Sequence, residues 1–265
     1  MNLLLLEQHE LVREGAAGTN AQATVTLHDW RARHIIDVLK STVGTTIKTG
    51  LLGGGLGAAT LVAIDRQRNT VLLQLDSASF TKVPPAALNC RVFMALPRPK
   101  AARRILRLLA ECGVKQVHFF HCYKVEKSYW ASPVLEVAQV QAQFQLGLSQ
   151  AKDTAMPALS MHRLFKPFVE DTLPGLVAGE FMLLADPAGN QSCEQVLRAC
   201  APGSRVNIFI GPEGGLIPYE LDKLRAAGAS VANLGSRIYR SEVALALLLG
   251  QLHVSGLQQV PQIRP

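Results

Sequence analysis

Long apolar runs and paired cysteines are both missing from this chain of 265 residues. No window reaches the eighteen or so uninterrupted apolar residues that a membrane-spanning helix needs. The five cysteines form an odd set without a C-x-x-C pair, which fits reduced thiols better than a disulfide framework or a zinc site. The opening stretch MNLLLLEQHE lacks the basic start and the small-residue cleavage site of a signal peptide. We therefore expect a globular, cytoplasmic protein that binds neither a membrane nor a metal.

Acidic residues are fewer than basic ones, 20 against 27, and one stretch, residues 97–107 (PRPKAARRILR), has none. Its five cations are Arg98, Lys100, Arg103, Arg104 and Arg107. On a helix begun near Ala101, Ile105 and Leu106 would face a core while the three later arginines point the other way. Such a face suits the phosphates of a nucleic acid, and the ordinary alternative is a solvated helix surface.

The spacing of apolar residues changes near Pro84-Pro85. Residues 1–85 hold short runs bounded by turns, such as ATVTL and TVLLQL, which predict a small β-rich domain. In residues 86–265, strand candidates alternate with helices, which predicts an α/β domain with a largely parallel sheet. Its strand candidates are CRVFMAL, QVHFFHC, FMLLAD, VNIFI and SVANL. A long helix is expected to open with Ser132 as its N-cap and Pro133 in its first turn.

A glycine-rich loop follows the strand candidate VNIFI, in the stretch IFIGPEGGL (208–216). Gly214 and Gly215 permit positive φ and expose backbone amides without a Cβ in the way. Ligands of parallel α/β sheets bind beyond the carboxyl ends of strands, which is where this loop falls. We expect its backbone to contact a ligand, the alternative being a tight turn with no ligand.

A second motif, LGSRIYRSEVA (234–244), begins nineteen residues after that loop. Arg237 and Arg240 flank a turn before a helix that starts at Ser241. Their guanidinium groups could clamp a phosphate or stabilise an oxyanion, the alternative being two surface cations that the helix dipole slightly disfavours. Glu242 follows Ser241 in the first turn of this helix. An acid is favourable there for the helix alone, so its presence does not by itself indicate a function.

The two C-terminal motifs together resemble the paired signature of the RsmE family, GPEGG(F/L)S…E followed by LG.R(I/V)LR.ET. This family methylates N3 of a uridine in 16S ribosomal RNA of the small subunit. LPRPKAARRILRLLAECGV and LGLSQAKDTAMP match weaker upstream patterns, so the resemblance spans nearly the whole chain. It implies a SPOUT-type fold, a parallel-sheet methyltransferase domain with a trefoil knot (86–265), preceded by a small PUA-like β-barrel domain that binds RNA (1–85).

The resemblance also implies a site. S-adenosylmethionine would lie between the two glycine-centred loops, and a homodimer would complete each active site without a metal. Arg237, Arg240 and Glu242 would act in catalysis, and the five cations of residues 97–107 would bind RNA. The cofactor-binding residues would be Ile210, Gly211, Pro212, Glu213, Gly214, Gly215, Leu234, Gly235, Ile238 and Tyr239.

Five positions depart from the family pattern. Tyr239 replaces its usual leucine, and Ser241 and Val243 replace two threonines, of which Ser241 keeps the hydroxyl and Val243 does not. Upstream, Leu108 stands for a lysine and Asp153 for an arginine, at places expected to face RNA. A methyltransferase with another RNA target and a non-catalytic RNA-binding protein therefore stay open. A hydrolase using Ser149 of GLSQA is a weaker alternative, because that serine falls inside a predicted helix.

The last helix candidate, SEVALALLLGQLH (241–253), is apolar over much of its circumference. One core-facing stripe would not need so many apolar residues, which favours a subunit interface over a helix buried within one subunit. We expect Val243, Leu247 and Leu248 to pack inside the subunit. The side chains expected to reach a partner are those of Leu245, Leu249 and Leu252.

Overall fold

The computed structural model of the protein describes residues 2–14 and 22–254, and these fall into two compact units. One unit comprises the described residues up to Pro85 together with Leu148–Met156. The other comprises Ala86–Gly147 and the described residues from Pro157 onward. In the part of the chain that the structure describes, no helix has the length and apolar character needed to cross a membrane.

The first unit is built on a mixed sheet that curls into a half-barrel. Its strands are β1 (Leu4–Leu6), β2 (Val12–Glu14), β3 (Gln22–Leu27), β4 (Thr46–Leu51), β5 (Leu56–Asp65) and β6 (Thr70–Leu75). They lie in the order β1-β4-β5-β6-β3-β2, with β1 parallel to β4 and the other neighbours antiparallel. A short helix α1 (Trp30–Arg33) continues into a π-helical turn (His34–Val38).

Alternation of apolar residues explains the core of this sheet. In β6 every second residue, Val71, Leu73 and Leu75, is buried, as a strand with one face on a core requires. The register of β5 against β6 shifts between Leu61 and Ala63, and a bulge of this kind increases strand twist and helps a sheet to curl. The strands predicted from ATVTL and TVLLQL are confirmed.

The segment Leu148–Met156 settles two expectations about side chains. The hydroxyl of Ser149 is buried and donates a hydrogen bond to the carbonyl of Leu3, so it has no access to a substrate and the hydrolase alternative is wrong. Asp153 is also buried, and its carboxylate accepts a hydrogen bond from the Ala155 amide at 2.9 Å. The expectation that Asp153 faces RNA is therefore wrong, because its side chain caps a turn.

The second unit is built on a fully parallel sheet of seven strands. They are β7 (Cys90–Ala95), β8 (Gln116–Phe120), β9 (Ala158–His162), β10 (Phe181–Ala185), β11 (Gln191–Ser192), β12 (Val206–Ile210) and β13 (Ser230–Asn233). Their order is β11-β13-β10-β12-β7-β8-β9. The predicted α/β class is confirmed.

Helices lie between most of these strands in the chain, as the crossovers of parallel neighbours require, and one more follows the last strand. They are α2 (Pro99–Glu111), α3 (Val137–Ala151), α4 (Phe165–Pro167), α5 (Leu173–Val177), α6 (Cys193–Leu197), α7 (Pro218–Ala226) and α8 (Ser241–Val254). The long helix predicted from Pro133 begins only at Val137, because Ser132 caps a separate 3₁₀ turn (Pro133–Leu135). Strand β8 ends at Phe120, so His121 and Cys122 lie in the loop that follows it.

Helix α8 is apolar on most sides, and its predicted orientation is wrong for five of the six residues named, since only Leu248 is buried as predicted. Leu245, Leu249 and Leu252, expected to reach a partner, are buried inside the subunit. Val243 and Leu247, expected to be internal, are 41% and 42% exposed. Apolar residues around the whole helix leave no periodic signal from which the buried side could be read.

A stack of rings fills the centre of the second sheet. Phe93 of β7 lies between Phe209 of β12 and His118 of β8, with ring centroids 4.6 Å and 4.5 Å away. His118 Nδ1 lies 3.0 Å from Nε2 of His162. Burial, together with the neighbouring His162 and Arg91, lowers the pKa of His118 to about 4. The imidazole is therefore neutral at physiological pH and serves as a polar member of the core.

Candidate active site at the carboxyl edge of the parallel sheet

Three neighbouring strands of the parallel sheet end beside one another. Strand β10 lies between β13 and β12, and its last residue, Ala185, pairs with Ala232 on one side and Ile210 on the other. Because all three strands run in the same direction, the loops that leave them meet at one edge. The two loops singled out from the sequence are those that follow β12 and β13.

The loop after β12 is shaped by its glycines. Gly215 has φ +72°, a backbone conformation that residues with a side chain rarely adopt. Its amide donates to the Pro212 carbonyl at 2.8 Å. Gly214 does not have positive φ, but a Cβ there would lie 3.0 Å from Cδ of Lys124. Gly211 is confined as well, since its Cβ would lie 3.1 Å from Cγ of Leu216. The loop thus presents backbone where most sequences would present side chains.

The loop after β13 also turns on a glycine. Gly235 has φ +98°, and a Cβ placed there meets no atom within 4 Å, so conformation and not crowding requires glycine. Its amide donates to Oδ1 of Asn233 at 3.0 Å. The chain then passes through Arg237 and Arg240 into α8.

A cleft lies between these loops. The predicted cofactor-binding residues line it except for Gly214, and Arg237 lines it with them. Five further members were not anticipated from the sequence. They are Ala185, Asp186, Pro187, Ser241 and Ala244.

The loop after β10 is the third wall that the sequence reading missed. It packs against the end of β13, where a Cβ on Gly189 would come within 2.7 Å of the carbonyl carbon of Ala232. Asn233 Nδ2 donates to the Gly189 carbonyl at 2.7 Å and fixes this approach. The available signal was the strand candidate FMLLAD. Its apolar run is followed by Asp186 and Pro187, much as the run VNIFI is followed by Gly211 and Pro212.

Comparison with known proteins decides the family. Residues 84–253 match the model of the RNA methyltransferase domain, which is more than half of the chain. The chain belongs to this RNA methyltransferase family. The predicted resemblance is confirmed, because relatives named ribosomal RNA small subunit methyltransferase E match most of the chain.

Two such relatives match more than nine-tenths of the chain. The protein from Treponema pallidum is 26% identical over 96% of this chain and 92% of its own length. The protein from Borreliella burgdorferi is 23% identical over 92% and 94%. A solved structure of the corresponding enzyme from Neisseria gonorrhoeae, bound to S-adenosyl methionine, superposes with a TM-score of 0.70 at 18% identity, covering 96% of this chain and 98% of that one.

The arginines of this methyltransferase differ in their surroundings. Within residues 22–254, the side chains of Arg237 and Arg240 form no hydrogen bond or ion pair. Glu242, by contrast, is paired with Arg104 of α2, whose Nη2 lies 2.9 Å from the carboxylate. Arg237 and Arg240 therefore have no partner among these residues, while the predicted catalytic acid, Glu242, is already engaged.

The basic face of α2 takes its predicted form. Ile105, Leu106 and Leu109 are buried, and the cations on the opposite side are exposed. Two of those cations have partners, since Arg104 binds Glu242 and Arg107 donates to Oε1 of Gln143 at 2.7 Å. The predicted helix begins at Pro99, two residues before Ala101.

Proposed function

We propose that this chain is an S-adenosylmethionine-dependent methyltransferase that modifies N3 of a uridine in small-subunit ribosomal RNA. The observation that carries the proposal is a cleft walled by glycine-rich loops and lined by Arg237, a cation without a protein partner in the part of the chain that the structure describes. The names of the relatives and the cofactor bound to the Neisseria gonorrhoeae enzyme support methyl transfer from this cofactor to small-subunit ribosomal RNA.

The residues of the cleft fit this cofactor. The backbone around Gly211 and Gly215 forms one wall, and Leu234 with Gly235 forms another, so a large ligand can lie against amides and carbonyls. Ile238 and Tyr239 supply apolar and aromatic surface for its adenosine part. When bound, S-adenosylmethionine supplies an activated methyl group, so the protein has only to align the acceptor and stabilise its charge.

The acceptor needs stabilisation because uracil N3 attacks only after it has lost its proton. The resulting imide anion spreads its charge onto the two flanking carbonyl oxygens. In this proposal Arg237 donates hydrogen bonds to one of these oxygens, while Arg240 binds either the other oxygen or the nucleotide phosphate. Glu242 acts indirectly, because its ion pair holds Arg104 beside the start of α8.

Methyl transfer tests the proposal directly. We expect the purified protein to transfer labelled methyl from S-adenosylmethionine to small-subunit ribosomal RNA or to assembled subunits, and mapping to place the label on N3 of one uridine. Label at another nucleotide would show that the protein is a methyltransferase with a different RNA target. Binding of RNA without binding of S-adenosylmethionine in calorimetry would show a non-catalytic RNA-binding protein.

The organisation of the molecule is part of the proposal. We propose an RNA-binding PUA-like domain in residues 1–85, a methyltransferase domain in residues 86–265 with the SPOUT knot, and a location in the cytoplasm. The curled sheet of the first unit and the parallel sheet of the second support this division, except that Leu148–Met156 belongs to the first unit.

We also propose a homodimer, supported by the exposed apolar face of α8. Val243, Ala246, Leu247 and Val254 are exposed on this helix, and apolar side chains grouped on a surface favour a subunit contact. We expect a dimer mass in light scattering at micromolar concentration, and Leu247→Arg to shift it toward the monomer because the charge would be buried in the interface. Ala226→Arg, which adds the same charge on exposed α7, should leave the dimer intact. A monomeric wild type would contradict the assembly.

A further inference from the structure

The edge of the sheet that carries the cleft continues past it. Strands β7, β8 and β9 lie beyond β12 in the same parallel sheet, so their carboxyl ends face the same side as the glycine-rich loops. Two contacts join these ends to the loop after β12. The Arg98 amide donates to Glu213 at 3.3 Å, and Lys124 Nζ donates to the Gly214 carbonyl at 2.7 Å. The surface beyond β8 is therefore a direct extension of the cleft.

Tyr123 is the most unusual residue of this extension. It is 78% exposed, although a tyrosine is usually at least partly buried. Its backbone is nevertheless held in place, because its amide donates to Oε1 of Glu220 at 2.6 Å. Glu220 is only 2% exposed, and its other oxygen accepts from the Ile217 amide at 3.1 Å. An exposed ring on a fixed backbone can receive a ligand at little cost in backbone entropy.

Cations lie on the segment that contains this tyrosine and at the end of the neighbouring strand β9. Lys124 and Lys127 follow it in the chain and are exposed, with Glu126 as the acid between them. Arg163, which follows β9, lies with its guanidinium 5.4 Å from the ring centre of Trp130 and is exposed. The carbonyl that binds Lys124 is neutral, so the ammonium keeps its full charge. We call these residues the edge patch: Tyr123, Lys124, Lys127 and Arg163.

Two other cations near this edge share one carboxylate, which offsets one of their two positive charges. Lys223 Nζ lies 2.6 Å from Oε1 of Glu170, and Lys166 Nζ lies 3.9 Å from Oε2 of the same carboxylate. These two lysines therefore attract a polyanion less strongly than the edge patch does.

We propose that the edge patch binds unpaired RNA beside the target nucleotide, with one base stacked on Tyr123 and phosphates beside Lys124, Lys127 and Arg163. The inference rests on the proposed function, because N3 lies on the pairing edge of uracil and can be methylated only in an unpaired nucleotide. Neighbouring nucleotides that are also unpaired expose their base faces, and proteins recognise such bases by stacking them on aromatic rings. A duplex offers no free base face to Tyr123.

The test compares single-stranded and duplex RNA on the full chain. Fluorescence anisotropy measures binding of a short labelled oligouridine, and of the same strand paired with oligoadenosine, to wild type, Tyr123→Ala, Tyr123→Phe and Lys127→Gln. We expect Tyr123→Ala to weaken oligouridine binding roughly ten-fold, within the range of base stacking on an aromatic residue, and Tyr123→Phe to restore it. Lys127→Gln should lower the slope of log affinity against log salt by about 0.7, as for one lost phosphate contact on a single strand.

Three results would overturn the inference. One is wild-type affinity for oligouridine in Tyr123→Ala, and another is equal or tighter binding of the duplex by wild type. The third is a loss of S-adenosylmethionine affinity in Tyr123→Ala as large as the loss of RNA affinity, because the residue would then act through the glycine loop. Calorimetry with S-adenosylmethionine and methyl transfer by wild type keep the two proposals apart. If wild type methylates ribosomal RNA, failure of the variants counts against the edge patch alone, whereas absence of cofactor binding counts against the proposed function.

Discussion

Replacing Gly235 by valine is expected to weaken S-adenosylmethionine binding by at least about a hundred-fold. This factor corresponds to the upper part of the free-energy range for holding a residue in a strained backbone conformation. Gly235 has φ +98° and lines the cleft. A β-branched residue strongly disfavours this conformation, so the loop after β13 must rearrange, and its two added methyl groups enter the space of the ligand. Isothermal titration calorimetry of the variant against wild type measures the change.

Gly179→Val is the matched control for this experiment. Gly179 has φ +71° and no atom within 4 Å of its Cβ position, but it precedes β10 at the opposite edge of the sheet. Both variants should lose comparable thermal stability, and only Gly235→Val should lose cofactor affinity. Wild-type affinity in Gly235→Val would remove the loop after β13 from the site.

Arg237→Ala is expected to slow methyl transfer by roughly two to three orders of magnitude at saturating RNA and cofactor, the usual cost of removing a preorganised donor to a developing charge. Of the two arginines in the motif, Arg237 lines the cleft, whereas Arg240 is absent from its lining. We therefore expect Arg240→Ala to slow the reaction less and to raise the RNA concentration needed for half-maximal rate. Single-turnover transfer of labelled methyl separates these effects.

Arg225→Ala provides the corresponding control, because it removes an exposed arginine from α7, where its partner is the surface residue Asp222. Its rate should match that of wild type. An unchanged rate in Arg237→Ala would limit that arginine to binding. A larger loss in Arg240→Ala than in Arg237→Ala would exchange their roles.

The surface of α2 shows why the two functions are harder to separate than the sequence suggested. Arg104 was expected to bind RNA and Glu242 to act in catalysis, yet the two side chains form one ion pair. A change of Arg104 therefore releases Glu242 at the start of α8, and an effect on RNA binding could not be told from an effect on the site. Arg103, on the same exposed face and without a side-chain partner in residues 22–254, is the cleaner position for a test of phosphate contacts.

Local signals in the sequence determined the parts of this protein whose cause is itself local. The need for glycine in the loop after β12 follows from conformation and close approach, and both motifs fall where strands end. The amphipathic pattern of α2 assigned its buried and basic sides correctly, since apolar residues at helical spacing leave one choice. Five of the seven parallel strands were predicted because each is a short apolar run between helices.

Only the tertiary structure decided the features that depend on distant neighbours. Strand β9 is mostly exposed at the edge of the sheet, so it carries no apolar pattern, and β11 has only two residues. The buried side of α8 could not be read because the helix is apolar all round, and it was settled by packing against the rest of the unit. The third wall of the cleft exists because β10 lies between β12 and β13, and the pairing of Arg104 with Glu242 joins residues 138 positions apart. Periodicity reports which face of an element is apolar, but it carries no information about which other element covers that face.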